Sequence, residues 1–211
     1  MLTAIGDVMR RLYERGWITT RDGNVSLTRK RSKLLYVTPS GWRKTIIHPE
    51  HIVRIKVSDG QLKIPEGAKP SGELHMHWLI QRGATRARSV VHAHPTHVIA
   101  AMYRGFDMQQ SASQFPEIFR YTRVGPSVGA IPAITEELGE ATAVALGVDG
   151  KKLAFDIVGQ HNHGVTSVGR DPWEAYEHIE RLDHICEILL ASGVSPSEVE
   201  RRHELGEMTP Q

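Results

Sequence analysis

Two histidines one residue apart, His92 and His94, follow the β-branched pair Val90-Val91 and stand just before Pro95. Side chains alternate faces along a strand, so the two imidazoles project from one face, roughly 7 Å apart along the chain. Pro95 lacks a ladder donor and ends such a strand, which leaves the pair at a strand end where a site can stay open. A second pair, His161 and His163, follows the apolar run from Leu153 to Val158. Together the pairs hold enough imidazoles for a three-histidine metal site. Three neutral imidazoles leave a bound Zn²⁺ its full charge and an open coordination position, the arrangement of a Lewis acid acting on a carbonyl. Neighbouring imidazoles buried without a metal or a carboxylate are costly, which puts that reading on a level with ordinary surface or core histidines. Spacing leaves the third ligand open, because His161 and His163 share a face on any extended strand.

These residues need a scaffold, and the pattern of the chain supplies one. Ile5, Val8, Met9 and Leu12 have helical spacing, and Gly16 stops that helix. Residues 20–27 read as a turn feeding a short strand, and further strands are expected near 33–38, 52–57, 88–94, 153–160 and 165–169. Helices are expected over 72–82 with Ser71 as N-cap, 96–104, about 110–118, and 135–146 with Thr135 as N-cap. An edge strand is expected near 129–131. The clearest helix runs from the Asp171 cap and Pro172 to Gly193. Glu73 falls in the first turn of its helix, where a carboxylate also complements the helix dipole. Pro39-Ser40-Gly41 is a tight turn whose backbone N–H groups can approach an anion. A single domain over residues 1–195 is expected, followed by a polar tail at 196–211.

Composition excludes several classes. The 211 residues carry 26 basic and 24 acidic side chains, a formal net charge of +2, mixed along the chain with no like-charged block to suggest a nucleic-acid or membrane partner. No apolar run approaches the roughly 20 residues that span a bilayer. The start, Met1 to Asp7, lacks a signal pattern, so a soluble cytoplasmic protein is expected. The one cysteine, Cys186, lies on an apolar helical stripe and reads as a core residue.

The ordered motifs Gly23-Asn24-Val25-Ser26, Thr38-Pro39-Ser40-Gly41, Lys69-Pro70-Ser71-Gly72-Glu73, Val91-His92-Ala93-His94, and His163-Gly164 followed by Gly169 resemble those of the class II aldolase/adducin family over about Leu12 to Leu190. That resemblance implies an α/β/α fold with a central, mostly antiparallel sheet, nine-stranded in the family, flanked by helices. It implies zinc on His92, His94 and His163, with Glu73 as acid/base, and so prefers His163 to His161. A substrate phosphate would fall on Asn24, Ser40, Gly41, Ser71 and Gly72. The implied reaction is cleavage of a C–C bond in a short sugar phosphate or related hydroxy-ketone, with an enediolate held on the metal, in a homotetramer whose sites lie at subunit interfaces. The same scaffold serves methylthioribulose-phosphate dehydratases, ribulose-phosphate 4-epimerases, decarboxylases and non-catalytic adducin heads; the histidines and Glu73 argue against the last. Two departures stand out. Gly72 replaces a frequent second serine, and the family's proton-donating loop tyrosine has only Tyr121 as a counterpart here, in poor register.

Overall fold

The computed structural model describes residues 1–29 and 32–205. Helix α1 (Leu2–Glu14) precedes strands β1 (Asn24–Thr28), β2 (Leu34–Val37), β3 (Val53–Ser58) and β4 (Gln61–Lys63). Helix α2 (Leu74–Gly83) and strand β5 (Ser89–Ala93) follow, then helices α3 (Thr96–Tyr103), α4 (Met108–Ser113), α5 (Pro116–Tyr121) and α6 (Glu136–Ala145). Strands β6 (Ile157–Gln160) and β7 (Gly164–Gly169) lead into helices α7 (Pro172–Ser192) and α8 (Pro196–Glu204). The seven strands form one sheet in the order β4-β3-β2-β1-β5-β7-β6, antiparallel at each pairing.

Period-two alternation divides the core. Val25, Val91, Ala93 and Val165 join Ile5, Leu12, Val98, Ile179 and Leu182 on the face covered by α1, α3 and α7. Val90, Val158 and Val168 join Met76, Ile80 and Leu146 under α2 and the end of α6. The result is the α/β/α layering expected. His92 and His94 therefore share Val90's face and look toward α2, whose first turn follows Glu73.

Five local expectations change. The helix expected over 110–118 is two helices, since Pro116 cannot continue the first. The strand expected from 153 starts at Ile157, because Asp156 turns its backbone and carboxylate to Arg123, whose N–H and guanidinium it accepts at 2.9 and 3.0 Å. No edge strand forms at 129–131; single parallel bridges, Val124 to Ile157 and Val128 to Gln160, run beside β6 instead, since Pro126 and Pro132 deny the segment ladder donors. With β4, a strand not expected from the sequence, the sheet counts seven strands among the described residues, against the nine that the resemblance implies. Helix α2 starts at Leu74, with Glu73 rather than Ser71 at its N-cap and no side-chain cap bond. Finally, the polar stretch expected as a tail is helical through Glu204, closed by a reciprocal Ser195–Glu198 capping box and anchored by buried Val199. Residues 206–211 of that expected tail lie outside the described residues.

Candidate active site

His92 is the buried centre of the site, 1% exposed, and stands opposite Asn24 on β1 and Thr166 on β7. Its Nε2 lies 2.9 Å from Nε2 of His94. The His163 ring joins them, its centroid 4.6 Å from that of His92 and 5.2 Å from that of His94. One nitrogen from each ring lies within 4.8 Å of the others. Gly164 makes this approach feasible: a Cβ there would collide with the Ala93 carbonyl oxygen and stand 2.8 Å from His94 Cδ2. The chain at 161–163 is a turn rather than a strand, so the shared face read for His161 and His163 does not apply, and His161 stays outside the cluster.

The donor set fits one divalent ion. Burial, then the neighbouring His94 and His163 charges, hold His92 well below the usual imidazole pKa, and burial also lowers His94. Neutral rings with converging nitrogens suit a cation of borderline softness. Outer contacts orient two of them: Thr166 Oγ1 lies 3.3 Å from His92 Nδ1, and Asp22 Oδ2 lies 3.7 Å from His94 Nδ1. Asp22 is itself tied by the Thr19 hydroxyl at 2.7 Å. Such carboxylate–histidine contacts fix ring orientation and raise ligand basicity.

Glu73 faces the three rings from the start of α2. Its Oε2 accepts a hydrogen bond from Asn24 Nδ2 at 2.7 Å and lies 3.5 Å from His92 Nε2. Its Oε1, 3.8 Å from His163 Nε2, is buried with no hydrogen-bond partner. Asn24 is held in turn by His77, fully buried on α2. Because Asn24 gives its amide N–H to Glu73, its Oδ1 must accept from His77 Nε2. His77 Nδ1 then accepts from the Ser26 hydroxyl at 2.6 Å. This chain of Ser26, His77, Asn24 and Glu73 fixes the tautomer of His77 and the angle of the carboxylate.

A cavity of about 270 Å³ opens beside these groups, lined by Asn24, Ser40, Gly41, Ser71, Gly72 and Glu73 as well as His94 and His163. Each residue read as phosphate-binding therefore lines this cavity. Asn24, however, already commits its amide to Glu73 and His77. Gly72 is explained by Ile134, which also lines the cavity: a Cβ at 72 would sit 3.0 Å from Ile134 Cγ2. Ile134 holds φ +66°, a strained value for a β-branched residue of the kind found near functional sites. Tyr121 does not line the cavity; it is 52% exposed, with the Arg120 and Arg181 guanidiniums 5.3 and 5.5 Å from its ring. Sequence reading missed Asp22, His77 and Lys44. Only Asp22, beside Gly23-Asn24, carried a signal that proximity could have raised.

Replacing His77 tests the chain of hydrogen bonds. His77→Phe fills the space but leaves Asn24 Oδ1 buried without a donor, so turnover should fall about tenfold, the effect of one unpaired buried acceptor. His77→Gln, which can donate to the same oxygen, should recover most of it, with metal content unchanged in both. Burial lowers the His77 pKa from 6.5 to about 4, so the unfolded chain binds this proton more readily than the folded one. Stability is then full above about pH 6.5 and falls toward pH 4 by about 3 kcal/mol from this group alone. Denaturant titrations across that window should show the His77→Phe variant with a shallower slope; equal slopes would remove His77 as the source.

Known proteins share this chain's sequence pattern and fold. L-fuculose phosphate aldolase of Methanococcus maripaludis is 27% identical over 177 residues, covering 84% of this chain and 88% of that protein. Methylthioribulose-1-phosphate dehydratase of Enterobacter sp. is 25% identical over 196 residues, covering 90% and 94%. The crystal structure of L-fuculose-1-phosphate aldolase from Thermus thermophilus superposes with a TM-score of 0.73 at 26% identity, covering 90% of this chain and 93% of that one. Residues 3–190 match the class II aldolase and adducin N-terminal domain, and with the sheet, the three converging imidazoles and the facing carboxylate on the same stretch, this chain belongs to the class II aldolase and adducin family.

Proposed function

We propose that the protein is a zinc-dependent aldolase that cleaves a C–C bond in a short sugar phosphate or related hydroxy-ketone. The observation that carries this is the unpaired Glu73 Oε1 beside the three-imidazole cluster, with Glu73, His94 and His163 lining one cavity. Zn²⁺ held by His92, His94 and His163 supplies Lewis acidity toward the substrate carbonyl.

The chain's own residues do the rest. In the condensation direction Glu73 takes the proton from the carbon next to the carbonyl; in cleavage it returns that proton after the C–C bond breaks. Asn24 keeps Oε2 occupied, so Oε1 is the oxygen free to exchange the proton. The small cavity, with Ser40, Gly41, Ser71 and Gly72 in its lining, suits a short chain ending in an anion. The hydroxyl proton given up by the departing aldehyde needs a second group. In the tetramer this reading adopts, a neighbouring subunit brings it, and exposed Tyr121 is the candidate. Exposed Phe119, Tyr103 and Ile134, at 60%, 82% and 67%, are the apolar surface such an assembly would cover. No helix among the described residues is long and apolar enough to cross a membrane, and a cytoplasmic location belongs to this reading.

A dehydratase is the second reading, favoured by the similarity to the methylthioribulose-1-phosphate enzyme: the same proton abstraction followed by loss of a hydroxyl one carbon further on. A panel of ketose phosphates and methylthioribulose-1-phosphate, with products weighed by mass spectrometry, separates them. Two fragments, one a three-carbon ketone phosphate, are expected. Loss of water assigns a dehydratase, unchanged mass with inverted stereochemistry an epimerase, and no turnover of any member by metal-loaded protein rejects the enzyme reading.

A further inference from the structure

Lys44 lies in a short 3-10 turn, Lys44–Ile46, a few residues beyond the Pro39-Ser40-Gly41 turn, and its side chain runs back into the protein. It is 2% exposed, yet it lines the cavity. Its Nζ donates to the Pro39 carbonyl oxygen at 2.9 Å. An ammonium has three donors, and among the described residues the other two have no acceptor; no carboxylate comes within ion-pairing distance either. Burial lowers its pKa to about 8, with Asp22 opposing the shift. A buried charge without a counter-ion is costly unless a ligand supplies one.

The surrounding groups are donors too. Among the described residues, no acceptor takes the backbone N–H of Gly41 or Gly72. Ser71 Oγ already accepts the Glu73 N–H at 3.3 Å, so its proton points elsewhere. Ser40 lines the same cavity. Two amides, two hydroxyls and an ammonium belong to residues that line one cavity, and beyond the Pro39 carbonyl nothing among the described residues accepts from them. A carboxylate offers two oxygens and one negative charge to this set; a phosphate monoester offers three terminal oxygens and close to two charges.

We propose that Lys44 is the charge that selects a phosphate-bearing substrate, gripping a phosphate dianion against the Ser40-Gly41 turn and the Ser71-Gly72 amides. This rests on the reading of the cavity as a substrate site with its phosphate at Ser40, Gly41, Ser71 and Gly72, and adds one residue to it: the charge that sets the preference for phosphate comes from a lysine outside the motifs that identify the family. Lys44 acts on binding alone and touches no reacting bond.

The test uses inorganic phosphate as probe, with affinity measured by calorimetry on chelator-treated protein so that no ion at the histidines contributes. The parent should bind phosphate, and acetate at least about tenfold more weakly. Lys44→Met should weaken phosphate binding by about 10- to 100-fold, the range for a lost charge-assisted hydrogen bond. Lys44→Gln keeps a donor for the Pro39 carbonyl but not the charge, so it holds the turn and should lose phosphate equally. Parent-like affinity in Lys44→Gln would make the lysine a strut for its own turn and overturn the proposal, as would a parent that ignores phosphate or prefers acetate. With a turned-over phosphorylated substrate, Lys44→Gln should raise KM by a similar factor and leave kcat within about twofold. A protein that binds phosphate through Lys44 but transforms no ketose keeps this inference and loses the enzyme reading. An active enzyme whose KM ignores the lysine does the reverse.

Discussion

Glu73→Gln is expected to lower turnover by roughly 10²- to 10⁴-fold with the metal still bound. The amide preserves size and can keep a hydrogen bond with Asn24, whose side chain already carries both a donor and an acceptor, but it cannot take a proton. The alternative for this residue is a carboxylate that merely complements the α2 dipole, and its loss would then cost no more than about 1 kcal/mol of stability with turnover intact. The geometry weighs against that alternative: Glu73 is 8% exposed, its carboxylate caps no backbone N–H, and one oxygen is left unpaired beside His163. Desolvating a carboxylate oxygen without a partner is unfavourable and persists where function needs the oxygen free. Exchange of solvent deuterium into the carbon next to the ketone reports the same proton transfer without C–C cleavage, and it should fall in parallel. A Glu73→Gln enzyme that exchanges like the parent takes the residue out of the mechanism; one that loses its metal recasts it as a fourth ligand.

The second large effect concerns the three imidazoles. His92→Ala, His94→Ala and His163→Ala should each lower divalent-metal affinity by more than roughly 100-fold, beyond what replacing an outer partner of a ligand costs. His75→Ala, His77→Ala and His161→Ala should retain near-stoichiometric metal. Elemental analysis of the six purified variants reads this directly. His92→Ala should be the most damaging, because that ring is enclosed by strands β1 and β7 and its removal opens a buried space that the sheet cannot close. Retention of metal by His163→Ala together with its loss in His161→Ala would move the third ligand by two residues. Retention by all three central variants would leave the cluster without a metal role.

The parts of this molecule that follow from short-range stereochemistry were legible in the residues. His92 and His94 share a face because side chains alternate along any strand, and Asp171-Pro172 starts α7 because a capping carboxylate and a fixed φ act within one turn, here on the Trp173 and Glu174 N–H groups. The same logic covers α8, whose Ser195-Pro196 start and Glu198 capping box stood in the sequence but were outweighed by its polar composition. Placement of Ser40, Ser71 and Glu73 near the imidazoles came from the resemblance of ordered motifs, since no local rule brings residue 40 to residue 73. Tertiary structure alone decided the rest. His163 rather than His161 joins the cluster because a turn, not a strand, carries it, and because Gly164 lets that turn close on β5. Asn24 holds Glu73, and His77 holds Asn24, only because β1 and α2 stack across the sheet face at that register. Lys44 is an ordinary surface cation by composition and becomes a buried charge only when its turn folds over the Pro39 carbonyl. Backbone geometry acts over a few residues and is written in their order; burial, and the pairing of charges it forces, is set by segments distant in the chain that meet only in the folded protein.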